Sequence, residues 1–110
     1  MPLEVSVLEA ALELRERGNG EFHGFVLAKH MEDAEGARRL TAHGTLYRSL
    51  ARLEDAGLLE SRWEDPQTAA EEGRPLRRLY CVTGEGEQAL AREHERARET
   101  LEAERREAAT

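Results

Sequence analysis

The segment between residues 41 and 57 constrains the fold most strongly. Drawn as an α-helix, it places Leu46, Leu50 and Leu53 in one narrow arc, and such a stripe predicts a helix with one buried face. Thr41 is a good N-cap residue, and Gly57 is a natural stop at the C-terminal end. The opposite face is polar and carries Thr41, Thr45, Arg48 and Arg52. We therefore predict a helix that packs on one side and presents cationic side chains on the other.

The chain before this segment predicts two more amphipathic helices. Apolar residues recur at helical spacing over about 3–17 and again over about 22–34. The Gly18-Asn19-Gly20 tripeptide separates the two helices, and Gly36 interrupts the pattern after the second. Gly24 lies inside the second predicted helix, where a glycine usually serves close packing against a neighbouring element. The sequence thus predicts three successive helices.

After Gly57 the pattern changes. Two short stretches, about 58–64 and 77–82, have the composition of β-strands, and the polar residues 65–75 between them are predicted to form a loop. Thr83 is then placed to cap a last helix that runs to about residue 108. The predicted fold class is therefore mainly α-helical, with a small β-hairpin that has a long polar tip.

The last predicted helix has little apolar surface of its own. Its positions at four-three spacing include Leu90, Ala97 and Leu101, which form only a thin stripe of the coiled-coil type. An exposed helix of about 25 residues with so few apolar side chains is marginal by itself. We therefore expect this helix to lie against a second copy of the chain.

Charge is distributed unevenly along the chain. The formal net charge is −7, which by itself disfavours nucleic acid as a partner. Residues 36–80, however, carry a net charge of +1, and all eight of their cations are arginines. Because arginine offers a fork of donors that suits phosphates and guanine edges, the pattern leaves DNA binding open if the fold gathers these side chains on one face.

Three helices followed by a β-hairpin are typical of a winged helix-turn-helix domain. In this architecture the third helix enters the DNA major groove, and the hairpin reaches the backbone or the minor groove. We predict a DNA-binding domain over residues 1–83 and a dimerisation helix over residues 84–110. The candidate contacts to double-stranded DNA are Thr41, His43, Thr45, Arg48 and Arg52 on the third helix, and Arg74 and Arg77 on the wing.

Several short motifs resemble those of the PadR family of bacterial winged-helix repressors. The resemblance spans about residues 5–90 and is closest to the smaller subfamily, which has a single C-terminal helix. It implies a homodimeric repressor, often controlled by a small aromatic or drug-like effector, and a two-fold dimer would bind a palindromic operator. The motifs are Phe22-His23-Gly24-Phe25, Gly44-Thr45-Leu46-Tyr47, Leu53-Glu54-Asp55-Ala56-Gly57-Leu58-Leu59, Gly73-Arg74-Pro75 and Thr83-Gly84-Glu85-Gly86.

The resemblance also adds residues to the predicted interfaces. It implies that Tyr47 contacts DNA and that the last helix packs against the first helix of a partner copy. Several features depart from the family pattern. Arg48 stands where proline is common, and Leu76 and Leu79 stand where basic and aromatic residues are common. The wing tip carries the acidic residues Asp65, Glu71 and Glu72, and no aromatic residue lies beyond Tyr80. The predicted dimer interface consists of Leu8, Leu12, Leu90, Ala97 and Leu101.

The sequence offers no support for catalysis, a cofactor or a metal site. It has no nucleophile–base motif and no phosphate-binding glycine loop, and its four histidines lack neighbours at metal-ligand spacing. No run of residues is apolar enough to cross a membrane, and the single cysteine, Cys81, is typical of a reducing cytoplasm. We therefore expect a cytoplasmic protein that is not an enzyme, with any small-molecule effector unidentified.

One alternative stays open at this point. A winged-helix module can bind proteins and have weak or no DNA binding. The net charge of −7 and the acidic wing tip favour this reading.

Overall fold

Five helices and three strands make up the residues that the computed structural model describes, 2–35 and 43–109. In chain order the elements are α1 (Pro2–Glu16), β1 (Phe22–His23), α2 (Gly24–Glu35), α3 (His43–Asp55), β2 (Leu59–Trp63), α4 (Pro66–Glu71), β3 (Arg78–Val82) and α5 (Gly84–Ala109). The segment from the start of β2 to the end of β3, residues 59–82, is called the wing below.

The leucine stripe of α3 faces the interior, as its spacing predicts. Leu46, Leu50 and Leu53 are each at most 4% exposed. The helix ends where Gly57 adopts a φ of 79°, a left-handed conformation that favours glycine. The Leu58 N–H then donates to the Leu53 carbonyl oxygen at 2.9 Å, which satisfies one of the last carbonyls of the helix. The predicted stripe and stop are both confirmed.

Helices α1, α2 and α3 pack around one core, to which the sheet and α5 also contribute. Apolar residues on one face of each helix supply most of it, and this burial is the main favourable term in folding. The mainly α-helical class with a small β element is therefore confirmed. The core residues are Val7, Leu8, Ala10, Ala11 and Leu14 of α1, Phe22 of β1, Leu27 and Met31 of α2, Leu46, Leu50 and Leu53 of α3, Leu59 of β2, and Leu90 of α5.

The sheet has three strands in the described residues, not the two that the sequence predicts. Strand β3 lies in the centre and pairs antiparallel with β2 on one side and β1 on the other. The predicted helical start at residue 22 is therefore wrong, because Phe22 and His23 pair with Tyr80 and Leu79 of β3. Phe22 is 3% exposed and its ring lies 6.2 Å from that of Tyr80. A partner about 58 positions away along the chain holds these residues extended, and periodicity within a short window does not detect such a partner.

The tip of the wing contains a short helix where the sequence predicts only a loop. The Asp65 carboxylate accepts a hydrogen bond from the Gln67 N–H at 3.0 Å, and Pro66 follows the cap as the first helical residue. Ala69 is the buried residue of this helix, α4, at 4% exposure. The Asp65-Pro66 pair is a helix-start signal in the sequence, although the polar composition of residues 65–75 favours a loop.

Helix α5 begins at the predicted cap. The Thr83 hydroxyl accepts a hydrogen bond from the Gly86 N–H at 3.0 Å and donates one to the Gly57 carbonyl oxygen at 2.7 Å. This residue therefore ties the start of α5 to the end of α3. Leu90 is buried in the core, whereas nearly all residues beyond His94 are exposed. No helix among the described residues is both long and apolar enough to span a membrane.

Candidate nucleic-acid interface

Arg48 and Thr45 lie on the face of α3 that points away from the leucine stripe. The Arg48 Nη2 group donates to the Thr45 hydroxyl at 3.3 Å, and Arg48 is exposed. No ion pair involving Arg48 occurs among residues 2–35 and 43–109. Its guanidinium is therefore held near Thr45 by a neutral group and keeps its charge available for a ligand.

Arg52 lies one turn further along α3 and has a different environment. Its Nε donates to the Glu4 carboxylate of α1 at 2.6 Å, and its Nη2 donates to the Ser49 hydroxyl at 3.2 Å. The Glu4 side chain is only 15% exposed, so this pair is partly shielded from solvent. The sequence predicts that Arg48 and Arg52 both contact DNA, but in the fold Arg52 forms an ion pair with Glu4 of α1.

Tyr47 is held against the start of α2. A Cβ atom built on Gly24 would come within 2.6 Å of the Tyr47 Oη, so the tyrosine ring lies directly over the glycine backbone. Despite this contact Tyr47 is 44% exposed. The ring is therefore positioned by α2 and still offers surface to a partner.

Arg74, a predicted DNA contact, braces the tip of the wing. Its guanidinium pairs with the Glu64 carboxylate through two nitrogens, one of them at 3.0 Å, and its Nε donates to Glu72 at 2.6 Å. Glu64 is 8% exposed and also accepts from the Arg77 backbone N–H at 2.8 Å. The hydrogen bond from Arg74 holds the pKa of Glu64 below its ordinary value of 4.5, although burial acts in the opposite direction. The charge of the Arg74 guanidinium is therefore compensated by two carboxylates within the wing.

Arg77 and Arg78 have different environments, because successive side chains at the start of a strand point to opposite faces. The Arg78 guanidinium lies 5.1 Å from the Trp63 ring centroid, donates to the Ser61 hydroxyl at 2.9 Å and reaches Glu54 at 3.8 Å. The Arg77 side chain is half-buried, and its charge acts on Glu64 without a hydrogen bond or ion pair from the guanidinium to a carboxylate among the described residues. Of the wing arginines in that part of the chain, Arg77 is the one without an ion pair, because Arg62, Arg74 and Arg78 each have one.

Two of the predicted DNA contacts cannot be placed. Thr41 lies outside the described residues. His43 begins α3, but its side chain is also outside what is described. These residues stay predictions.

The residues predicted for a dimer interface divide into two groups. Leu8 and Leu90 are each 4% exposed and already lie in the core of a single chain. Leu12 is half-buried, and Ala97 and Leu101 are exposed, Leu101 at 47%. Only the second group has apolar surface to offer to another copy.

Exposed apolar residues near the wing are the feature that sequence reasoning missed. Phe25, Trp63 and Leu76 are 60%, 57% and 42% exposed, and they line one cleft together with Tyr47. Phe25 falls on the apolar helical pattern of residues 22–34, but it is the second residue of α2 and is exposed. No group of three or more potential metal ligands occurs among the described residues.

A protein-family model and two solved structures of PadR-type regulators are similar to this chain. The model of the transcriptional regulator PadR-like family matches residues 12–92. A PadR family transcriptional regulator from Eggerthella lenta DSM 2243 is 30% identical with a TM-score of 0.61, and the match covers 86% of this chain and 72% of that one. A PadR-like transcription factor from Bacteroides fragilis is 25% identical with a TM-score of 0.73, covering 94% and 87%.

A third structure includes a ligand. Bacillus subtilis PadR in complex with operator DNA is 21% identical with a TM-score of 0.64, and the match covers 83% of this chain but only 45% of that one. At this identity the likeness supports the fold alone. No curated protein sequence matches the chain.

Proposed function

Because this chain belongs to the PadR-like family of transcriptional regulators, we propose that it binds double-stranded DNA and thereby regulates transcription. The operator complex of Bacillus subtilis PadR supports a DNA-binding role for this fold. Such a regulator works in the cytoplasm, where bacterial DNA lies, and needs no catalytic activity.

The exposed face of α3 carries the proposal. Arg48 projects from this face beside Thr45 and has no carboxylate partner among the described residues. An unpaired arginine on the recognition helix can bind guanine through two donors or bind a phosphate. The leucines on the opposite face anchor the helix, so that Arg48 is presented from a rigid element.

The other candidate residues divide into those that contact DNA and those that position the helix and the wing. Tyr47 and Arg77 are accessible and contact the DNA backbone, together with Thr45. Arg52 and Arg74 are held by Glu4 and by Glu64, so we assign them to positioning the helix and the wing. Thr41 and His43 stay candidates for contacts at the start of α3.

We further propose that the protein acts as a homodimeric repressor on a palindromic operator. The exposed half of α5 supports this, because Ala97 and Leu101 leave an apolar stripe without a partner in the described part of the chain. A two-fold dimer presents two copies of α3, and its operator then has two related half-sites. Leu12 of α1 is the remaining apolar residue we assign to this interface.

Selection from random duplexes tests the proposal without knowledge of the operator. The full-length chain should enrich duplexes with an inverted repeat, and the selected duplex is then used for fluorescence anisotropy at fixed salt. We expect Arg48→Ala to weaken binding by about 1–3 kcal/mol and to relax the preference at one base position. Arg105→Ala, which removes an exposed arginine on α5, is the matched control and should bind like the parent.

A protein-interaction module remains the alternative, and the net charge of −7 is the observation that favours it. In that case no duplex sequence is enriched, and Arg48→Ala binds any DNA as weakly as the parent does. Enrichment of one sequence motif that depends on Arg48 excludes this alternative.

A further inference from the structure

A series of polar contacts joins the end of α3 to the middle of the wing. The Ser61 hydroxyl of β2 donates to the Glu54 carboxylate of α3, with the Oγ and Oε2 atoms 2.6 Å apart. The Arg78 Nε of β3 donates to the Ser61 hydroxyl oxygen at 2.9 Å, and the Arg78 Nη2 lies 3.8 Å from the Glu54 carboxylate. The Ser61 hydroxyl therefore lies between a carboxylate of α3 and a guanidinium of the wing. We call Glu54, Ser61 and Arg78 the α3–wing network.

The register of the sheet places the network on the face of the wing that is turned towards α3. Successive side chains of a strand alternate between faces, so Ser61 shares its face with Leu59, which is 1% exposed in the core. Trp63 lies on the same face and pairs with Arg78 across the two strands. The Arg78 guanidinium lies 5.1 Å from the centroid of the Trp63 ring. The network therefore reaches from α3 to the end of β2 that leads into the wing tip.

Polar contacts between α3 and the outer part of the wing are few. In the described residues β2 pairs only with β3, and β1 reaches β3 only at Leu79 and Tyr80. A two-stranded ribbon twists more than a wide sheet and is marginally stable by itself. Among the described residues, Glu54 is the residue of α3 whose side chain forms a hydrogen bond and an ion pair with the wing. The direction of the wing therefore depends on this residue.

The exposure of the network favours a role in orientation over a role in stability. The Glu54 and Arg78 side chains are each 36% exposed, so solvent screens their ion pair and it contributes little to the stability of the fold. The hydrogen bond from Ser61 to an ionised carboxylate is of the stronger, charge-assisted kind, and it constrains a direction as well as a distance. Loss of this bond should therefore change the placement of the wing more than it changes the free energy of unfolding.

From this geometry we infer that Glu54, acting through Ser61 and Arg78, is a positioning residue that sets the placement of the wing relative to α3. Its consequence for DNA rests on the proposed function. Arg48 lies on α3 and Arg77 directly precedes Arg78 in the chain, and neither has an ion pair among the described residues. A fixed wing holds these two cations at one separation, and a binding surface works best when its groups are held in place before the ligand arrives.

A direct contact between Arg78 and DNA is the competing explanation. In the structure the Arg78 guanidinium is already engaged by Ser61 and by the Trp63 ring. The two explanations differ in additivity. A residue that acts through Glu54 has no further effect once Glu54 is removed, whereas a direct contact keeps its effect in that background.

The placement of the wing is measured first, in the full-length protein without DNA. Nitroxide labels are attached through Ala51→Cys on α3 and Ala70→Cys on α4, which are two exposed positions, and Cys81→Ser removes the native thiol. The labelled protein is diluted with unlabelled protein, so that double electron–electron resonance reports the distance between labels within one chain. Circular dichroism and urea unfolding establish that each variant is folded.

Four substitutions are compared in this labelled protein. Glu54→Ala and Ser61→Ala should each broaden or shift the distribution of distances, because each removes the hydrogen bond between α3 and β2. Glu54→Gln keeps an acceptor for the Ser61 hydroxyl and should retain the distribution of the parent. Asp55→Ala removes the same charge at an exposed neighbouring position and is the matched control, which should have no effect.

DNA binding is then measured by fluorescence anisotropy at fixed salt with the duplex selected above. Arg77→Ala should weaken binding about fivefold in the parent and in the Asp55→Ala background, but less than about twofold in the Glu54→Ala background. Arg48→Ala should keep its full effect in every background, because Arg48 lies on α3 itself. A general loss of stability does not produce this selective coupling to one arginine. Arg78→Ala should have no further effect in the Glu54→Ala background.

Three results would overturn the inference. They are an unchanged distance distribution in both Glu54→Ala and Ser61→Ala, an equal effect of Arg77→Ala in the parent and in Glu54→Ala, and a full effect of Arg78→Ala in the absence of Glu54. The last result assigns Arg78 to a direct DNA contact. If the parent binds no duplex, the proposed function fails, and the distance measurement alone still decides whether the network sets the placement of the wing.

Discussion

Gly24 and Tyr47 are in direct contact across two helices: a Cβ atom on residue 24 would lie 2.6 Å from the tyrosine hydroxyl oxygen. The absence of a side chain on Gly24 allows the ring to lie close to the start of α2. This contact links the helix that supports the interface to a residue that forms it. It also explains why a glycine stands at the first residue of α2.

Gly24→Ala should therefore affect DNA binding more than stability. The added methyl group displaces the Tyr47 ring, but the ring is 44% exposed and can move, so we expect the free energy of unfolding to change by less than about 1 kcal/mol. DNA affinity should fall by about 1 kcal/mol, or roughly fivefold. Anisotropy titration of Gly24→Ala, Tyr47→Ala and the double variant measures this. If the two single effects simply add, Gly24 does not act through Tyr47.

Arg52 and Arg48 should respond differently to replacement. Arg52→Ala removes a partly exposed pair with Glu4, so stability to urea should fall by less than about 1 kcal/mol, and DNA affinity should fall less than in Arg48→Ala. Glu4→Gln is the matched control because it breaks the same pair and keeps the arginine. A tighter DNA complex in Glu4→Gln would show instead that Arg52 contacts DNA once it is released.

The wing should lose stability in acid through Glu64. The pKa of this group is lower in the folded protein than its ordinary value of 4.5, so its ionised form stabilises the fold above that pH. This contribution is lost as the pH falls from about 4.5 through the folded pKa. Melting temperatures measured from pH 7 down to pH 3 should drop less steeply in Glu64→Gln than in the parent. Glu71→Gln, at an exposed site that hydrogen-bonds only Gln67 in the described residues, should leave the slope unchanged.

Gly86→Ala should destabilise the whole domain. An added Cβ would clash with the Leu58 carbonyl oxygen, and a backbone atom cannot move aside as a side chain can. We expect a loss of about 1–3 kcal/mol, measured by urea unfolding. Gly84→Ala is the matched control, because nothing lies within 4 Å of a Cβ at that position. Equal stability of the two variants would contradict the close contact between α5 and the turn after α3.

The proposed dimer is best tested at Leu101. Removing the chain after Gly86 would also remove Leu90 from the core, whereas Leu101 is 47% exposed in the single chain. Leu101→Glu should therefore give a folded monomer, and Ala103→Glu, off the apolar stripe on the same helix, should stay dimeric. Light scattering over a range of concentrations measures the mass. A dimer that persists in Leu101→Glu would contradict the interface assigned to α5.

Local signals in the sequence are enough to predict the elements whose ends and buried faces depend on neighbouring residues. The leucine stripe of α3, the stop at Gly57 and the Thr83 cap all act within a few positions of the chain, and each is found where the spacing predicts. The winged-helix order follows from these elements. The reason is that helix periodicity, left-handed glycines and caps are properties of a short stretch of backbone.

Tertiary structure decided the features that depend on distant partners. Strand β1 exists because Phe22 pairs with Tyr80, and α2 begins two residues later for the same reason. Glu4, 48 positions before Arg52, forms an ion pair with this arginine, whereas Arg48 has no ion pair in the described part of the chain. The cleft lined by Phe25, Tyr47, Trp63 and Leu76 assembles residues from α2, α3 and the wing, so its lining cannot be recognised in any one segment. Such contacts join residues far apart in the chain, and only the folded backbone brings those residues within reach of each other.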